Sequence, residues 1–143
     1  MLIDQADLLW EMDKLFVREF MGMTAPVNFE TGDVVFRESD PADYFFTLVE
    51  GRVRLTVGVP PREVYTVDRP GEAFGWSSLV DRNYYSAAAE CLETTRCLKL
   101  EGKKLQTLLQ NHPESGLLFY KKLAGMLGHR LVQFYQITCP TGG

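Results

Sequence analysis

The residues best spaced for chemistry in this sequence are Gly75-Trp76-Ser77-Ser78. A glycine that permits a tight turn precedes a short apolar run, and a helix started there leaves the amides of Trp76, Ser77 and Ser78 without acceptors of their own. Such amides, with two serine hydroxyls beside them, suit an anion. The same serines also suit plain capping of a helix start, and both readings stand. Trp76, Tyr84 and Tyr85 either line a pocket for a flat ligand or fill the core of the sheet they belong to. Arg82, the basic residue of this stretch, either reaches back to an anion or sits on a surface loop.

Other reactive side chains are sparse. The sequence has two histidines, His112 and His129, and both fall in a C-terminal part with helical periodicity. A metal site in a rolled β-domain of the cupin kind needs His and carboxylate ligands on neighbouring strands, so no metal site is expected. Neither histidine follows a nucleophile motif, so no catalytic residue is expected and the chain does not read as an enzyme. Cys91, Cys97 and Cys139 form no CxxC pair and are odd in number, which reads as reduced thiols and not as a disulfide framework.

Composition sets the scale. A chain of 143 residues with 45% hydrophobic and 24% charged residues fits one soluble globular domain with one real core. It leaves no room for a sensor plus a separate output domain. Its apolar runs are far shorter than the ~20 residues of a membrane helix. The N-terminus carries Asp4, Asp7, Glu11 and Asp13 where a secretory signal is positive and then uncharged. The expected compartment is the cytoplasm. A net charge of −4 opposes generic binding to nucleic acid, which needs clustered Lys and Arg. Lys121, Lys122, His129 and Arg130 read instead as the solvated face of a helix.

The elements that must hold the Gly75 stretch follow from periodicity. Leu8, Met12, Leu15, Phe16 and Phe20 recur at three- and four-residue spacings, which predicts an amphipathic helix over 4–21. From 27 to 100 the period changes. Short strands at Val34–Phe36, Tyr44–Leu48, Arg52–Thr56, around Val64–Val67, Tyr84–Cys91 and Thr94–Leu100 are punctuated by Gly and Pro turns. About eight strands in all predict a β-roll. Helical periodicity returns over 101–111 and 113–137, with Pro113 fit for a first turn, and 138–143 reads as a loose tail. In the last helix Tyr120, Leu127 and Phe134 recur every seven residues, with Ala124 and Leu131 four beyond the first two. That seam suits either a homodimer or packing on the chain's own β-core. Gly125 and Gly128 favour close approach of a second helix.

The residues Phe29, Gly32, Val35, Phe36, Glu38, Asp40, Asp43, Phe46, Leu48, Gly51, Val53 and Leu55, followed by Pro70-Gly71-Glu72 and Phe74-Gly75, carry a family likeness. In order and spacing the chain resembles, over residues about 1 to 137, the cyclic-nucleotide-binding domain of catabolite-activator-type regulators, kinase regulatory subunits and nucleotide-gated channels. The resemblance implies a mainly β fold with flanking helices, a double-stranded β-helix of jelly-roll type. It also implies a phosphate-binding cassette with ligand residues among Gly75, Trp76, Ser77, Ser78, Arg82, Tyr84, Tyr85, Ser86 and Ala87. Nucleotide-binding members carry a Glu directly after the cassette glycine and an Arg about ten residues later. Here those places hold Trp76 and the run Tyr84-Tyr85-Ser86-Ala87. Their loss weakens cyclic nucleotide binding by about two to four decades, since a charge-assisted contact contributes about 1.5–3 kcal/mol. The expected ligand is cyclic AMP, cyclic GMP or another small anion. The expected role is a sensor that signals through its C-terminal helix to a protein partner. The alternative is a ligand-independent dimerisation or adaptor protein that keeps the fold.

Overall fold

The computed structural model describes Leu9, residues 11–80 and residues 82–138. Helix α1 (Lys14–Gly22) opens where the Asp13 carboxylate accepts from the amides of Leu15 and Phe16 at 3.0 and 3.3 Å. The single helix expected over 4–21 is corrected by this cap. Glu11 adopts φ 66 and residues 11–13 are not helical, so the apolar period runs through a break and a new start. The part of that expectation on residues 1–8 lies outside the described residues, as does the tail over 139–143. Phe16 and Phe20 are fully buried, one turn apart on the helix face that meets the core.

Eight strands follow in the described residues: β1 (Ala25–Phe29), β2 (Val34–Phe36), β3 (Tyr44–Glu50), β4 (Val53–Val57), β5 (Arg62–Val67), β6 (Ala73–Phe74), β7 (Ala88–Cys91) and β8 (Thr95–Glu101). They form two antiparallel sheets, in the orders β1-β8-β3-β6 and β2-β7-β4-β5. Mainly β structure with flanking helices is therefore the fold. Pro26 is accommodated because β1 is an edge strand, paired with β8 alone. Strand β3 is buried on both faces: Phe45 packs into the helix-side cluster, whereas Phe46 and Leu48 point into the roll. That is why its sequence shows a continuous apolar run. The tight connection from β3 to β4 depends on Gly51, at φ 112, where an added Cβ would lie 2.6 Å from Thr95 Cα.

The strand expected over Tyr84–Cys91 is shortened to β7. Ladder pairing starts at Ala88, and residues 84–87 form a loop instead. Tyr85 leaves the ladder because its hydroxyl is engaged elsewhere, donating to Tyr44 O at 2.7 Å and accepting from Tyr44 N at 3.0 Å.

Helix α2 (Gly102–Asn111) and helix α3 (Pro113–Thr138) close the fold. With α1 they cover the first sheet, burying Phe16, Phe20, Phe45, Leu100, Leu105 and Phe119 in one cluster. Phe119 sits 6.0 Å by ring centroid from both Phe20 and Phe45, so it ties α3 to α1 and to the sheet. Among the described residues no helix is long and apolar enough to cross a membrane.

Candidate functional site

The turn that follows Gly75 packs against β3 and helix α2. Gly75 takes the left-handed conformation, φ 79 and ψ 30, and starts the four-residue 3-10 turn Trp76–Leu79. A Cβ there would meet Tyr44 O at 3.0 Å and the Phe46 ring at 3.2 Å, so glycine suits both the backbone angle and the space. Beyond this turn a small pocket of ≈ 30 Å³ is lined by Phe36, Leu55, Gly75, Trp76, Ser77, Tyr85, Ser86 and Ala87. The structure thus brings together six of the nine residues marked for ligand contact. Phe36 and Leu55 are additions that sequence reasoning missed.

The pocket is small because aromatic rings occupy it. Tyr85 is 5% exposed and stacks on Phe36 at 3.8 Å between centroids and 11° between planes. Phe46 stacks on Phe74 at 5.1 Å behind them. Burial pushes the Tyr85 hydroxyl up to about 12, so it stays neutral. What the pocket offers an anion is main chain. The amides of Trp76, Ser77, Ser86 and Ala87 donate to no acceptor among the described residues, whereas Ser78 N donates to Gly75 O. Capping by the serines is corrected: Gly75 is the cap residue with no side-chain cap bond, and the Ser78 hydroxyl donates to Gly75 O at 2.9 Å.

Three marked residues lie elsewhere. Ser78 and Arg82 line an outer cleft of ≈ 540 Å³ with Asp43, Lys103 and Gln106. Arg82 is exposed there, its guanidinium carbon 5.9 Å from the centre of the Trp76 ring. Of the two readings of Arg82, the exposed position is the one this structure displays, with the side chain over the ring of Trp76. Tyr84 is 59% exposed, beside Pro41, and lines neither space.

A charged cluster joins the end of this region to the last helix. Glu72, 4% exposed, accepts from the Tyr65 hydroxyl at 2.5 Å and from the amides of Asp68 and Arg69 at 3.1 and 3.0 Å. Arg130 of α3 faces the same carboxylate at 3.6 Å, donates to Ala73 O at 2.6 Å and lies over the Tyr65 ring at 4.4 Å. Arg130 is therefore not part of a solvated face; at 8% exposure it is buried, and the correction follows from the partners that receive it. Burial lowers its pKa from the ordinary arginine range, and the neighbouring Tyr65 and Glu72 oppose that shift.

The heptad residues divide. Tyr120, Ala124 and Leu131 are exposed, Leu131 at 49%, whereas Leu127 is half-buried and packs against the helix-side core, and Phe134 is half-buried. An added Cβ at Gly125 or Gly128 meets nothing within 4 Å, so both glycines face open space. Cys91 and Cys97 are buried free thiols, and burial pushes Cys97 up to about 12, far from a reactive thiolate. Among the described residues no group of three His, Cys, Asp or Glu is placed to hold a metal.

A left-handed glycine thus opens a short helical turn inside a two-sheet roll closed by a long C-terminal helix. The family model described as cyclic nucleotide-binding domain matches residues 26–112, and the chain belongs to that family. Among curated relatives, a cAMP-dependent protein kinase regulatory subunit of Dictyostelium discoideum is 27% identical over 111 residues, covering 74% of this chain and 34% of the relative. The chain thus spans about a third of that relative's length. Among solved structures, the N-terminal domain of a transcriptional regulator from Streptomyces coelicolor A3(2) is 26% identical with a TM-score of 0.71, covering 89% of this chain and 92% of that one. A cyclic nucleotide-binding domain from Methylobacillus flagellatus shares the fold at a TM-score of 0.81 and 23% identity, covering 93% and 76% of the two chains.

Proposed function

We propose that this chain is a small-molecule-responsive regulatory module, with its ligand site at the Gly75–Ala87 pocket and its output in helix α3. One observation carries the reading: Trp76, Ser77, Ser86 and Ala87 line a single pocket, and their amides are not used inside the described fold. Amides without internal acceptors are ready donors for an anion. Among the described residues the lining holds no cation and no carboxylate. Its ligand is a cyclic nucleotide bound weakly, or another small anion whose charge is met by neutral donors.

Thermal melts in cyclic AMP, cyclic GMP, cyclic dinucleotides and simple anions test this. A ligand that binds the folded state stabilises it by about 1.4 kcal/mol at tenfold its Kd, a rise of several degrees in Tm. A shift with one of these ligands at millimolar concentration is expected. A flat Tm across the whole panel refutes the sensor reading.

The packing of Phe36 on Tyr85 favours a second reading, in which the roll is filled by its own side chains and the chain works as a ligand-independent adaptor. Both readings use a homodimer through α3, with Leu131 beside the open faces of Gly125 and Gly128. Sedimentation is expected to give a dimer for the wild type and a monomer for Leu131→Glu. Equal masses for the two proteins overturn the seam.

A further inference from the structure

We propose that the groove between helix α3 and the β5–β6 connection is a second binding site, separate from the Gly75–Ala87 pocket, for a small phosphate monoester. The groove has a volume of ≈ 260 Å³ and is lined by Tyr65, Arg69, Glu72, Lys122, Met126 and His129. Its charge runs against that of the chain. The whole sequence carries −4, yet the groove gathers the cations Arg69 and Lys122, with the His129 imidazole beside them.

Among the described residues of the lining, the carboxylate of Glu72 does not answer Arg69, because it is already engaged. Glu72 accepts from the Tyr65 hydroxyl and from two amides, and its closest cation is Arg130 at 3.6 Å. Arg69 has no carboxylate within ion-pair distance among the described residues. His129 Nε2 lies 3.1 Å from the Gln133 amide nitrogen. A buried donor lies behind the lining. Arg130 packs against Tyr65, Glu72 and Met126, three lining residues, and its Nε is buried with no hydrogen-bond partner among the described residues.

Ligand chemistry follows from this lining. Arg and Lys present donors that match phosphate oxygens, and the imidazole of His129 adds another. The Tyr65 ring and the Met126 thioether supply an apolar wall for the ester group. A cationic ligand would be repelled, and a purely apolar one would strip water from charges without replacing it. Lys122, Met126 and His129 belong to α3, whereas Tyr65, Arg69 and Glu72 belong to the roll. An occupant therefore touches both and holds the helix on the sheet, beside the Arg130 contact.

Phenyl phosphate, inorganic phosphate, phenol and chloride, each titrated into the full chain at constant ionic strength and followed by amide NMR shifts and calorimetry, decide the matter. Phenyl phosphate is expected to bind more tightly than inorganic phosphate and to move the amides of residues 65–72 and 122–130. Arg69→Ala and Lys122→Ala are each expected to weaken it about tenfold, the scale of one charge-assisted contact. Arg69 is exposed and Lys122 half-buried, and far-ultraviolet dichroism checks that the variants fold. Shifts confined to residues 75–87 would place the phosphate in the first pocket and overturn the second site while leaving the sensor reading intact. Unchanged affinity in both variants, an equal response to chloride, or inorganic phosphate binding as tightly as the ester also overturns it.

Discussion

Arg130→Met is expected to cost about 3–5 kcal/mol of folding stability, the loss that follows when one partner of a buried charge pair is removed. The side chain is 8% exposed and Glu72 is 4% exposed, so water does little to screen what remains. In the variant, Glu72 keeps the Tyr65 hydroxyl and the amides of Asp68 and Arg69 but loses its cation. Ala73 O loses its donor in the same step. Adding Glu72→Gln is expected to recover a large part of the loss, because a neutral amide in that place carries no unpaired charge. Urea unfolding followed by tryptophan fluorescence measures both. A single-variant loss under about 1 kcal/mol would mean that the pair behaves like an exposed one and does not fasten α3 to the roll.

The same cluster shows where the sequence was legible and where it was not. A change of period from two to near 3.6 separates the strands from the helices, and β3 lies where a short apolar run bounded by turn residues puts it. The cassette glycine was legible because a positive-φ corner before a helical turn leaves few residue choices. Arg130 was not. Beside Lys121, Lys122 and His129 it has the pattern of a solvated face, and nothing local announces that Glu72, distant in sequence, receives it. Tyr84 to Ala87 misled in another way. Tyrosines favour strands, but Tyr85 gains more by stacking on Phe36 and bonding the Tyr44 main chain than by joining a ladder. Both failures arise from side-chain partners that meet only after the two sheets close.

That stacking also states what the pocket lacks. Where nucleotide-binding relatives place an arginine, this chain has a run whose buried member is Tyr85, a neutral hydroxyl pushed up to about 12 and committed to Tyr44. It cannot balance a phosphodiester charge. Trp76 stands where the family pattern that the sequence resembles has a glutamate. Trp76→Glu combined with Tyr85→Arg is therefore expected to raise the affinity for cyclic AMP by about two to four decades, since charge-assisted contacts contribute about 1.5–3 kcal/mol each. Removing the Tyr85 ring also enlarges a pocket that now holds ≈ 30 Å³. The same substitution loses the Phe36 stack, so a lower Tm is expected in the absence of ligand and recovery of it in the presence of cyclic AMP. Calorimetric titration of wild type and double variant reads the affinity, and a melt confirms that the variant is folded. If the folded variant binds cyclic AMP no better than the wild type, the amides of Trp76, Ser77, Ser86 and Ala87 do not form a phosphate site, and the pocket belongs to the core of the roll.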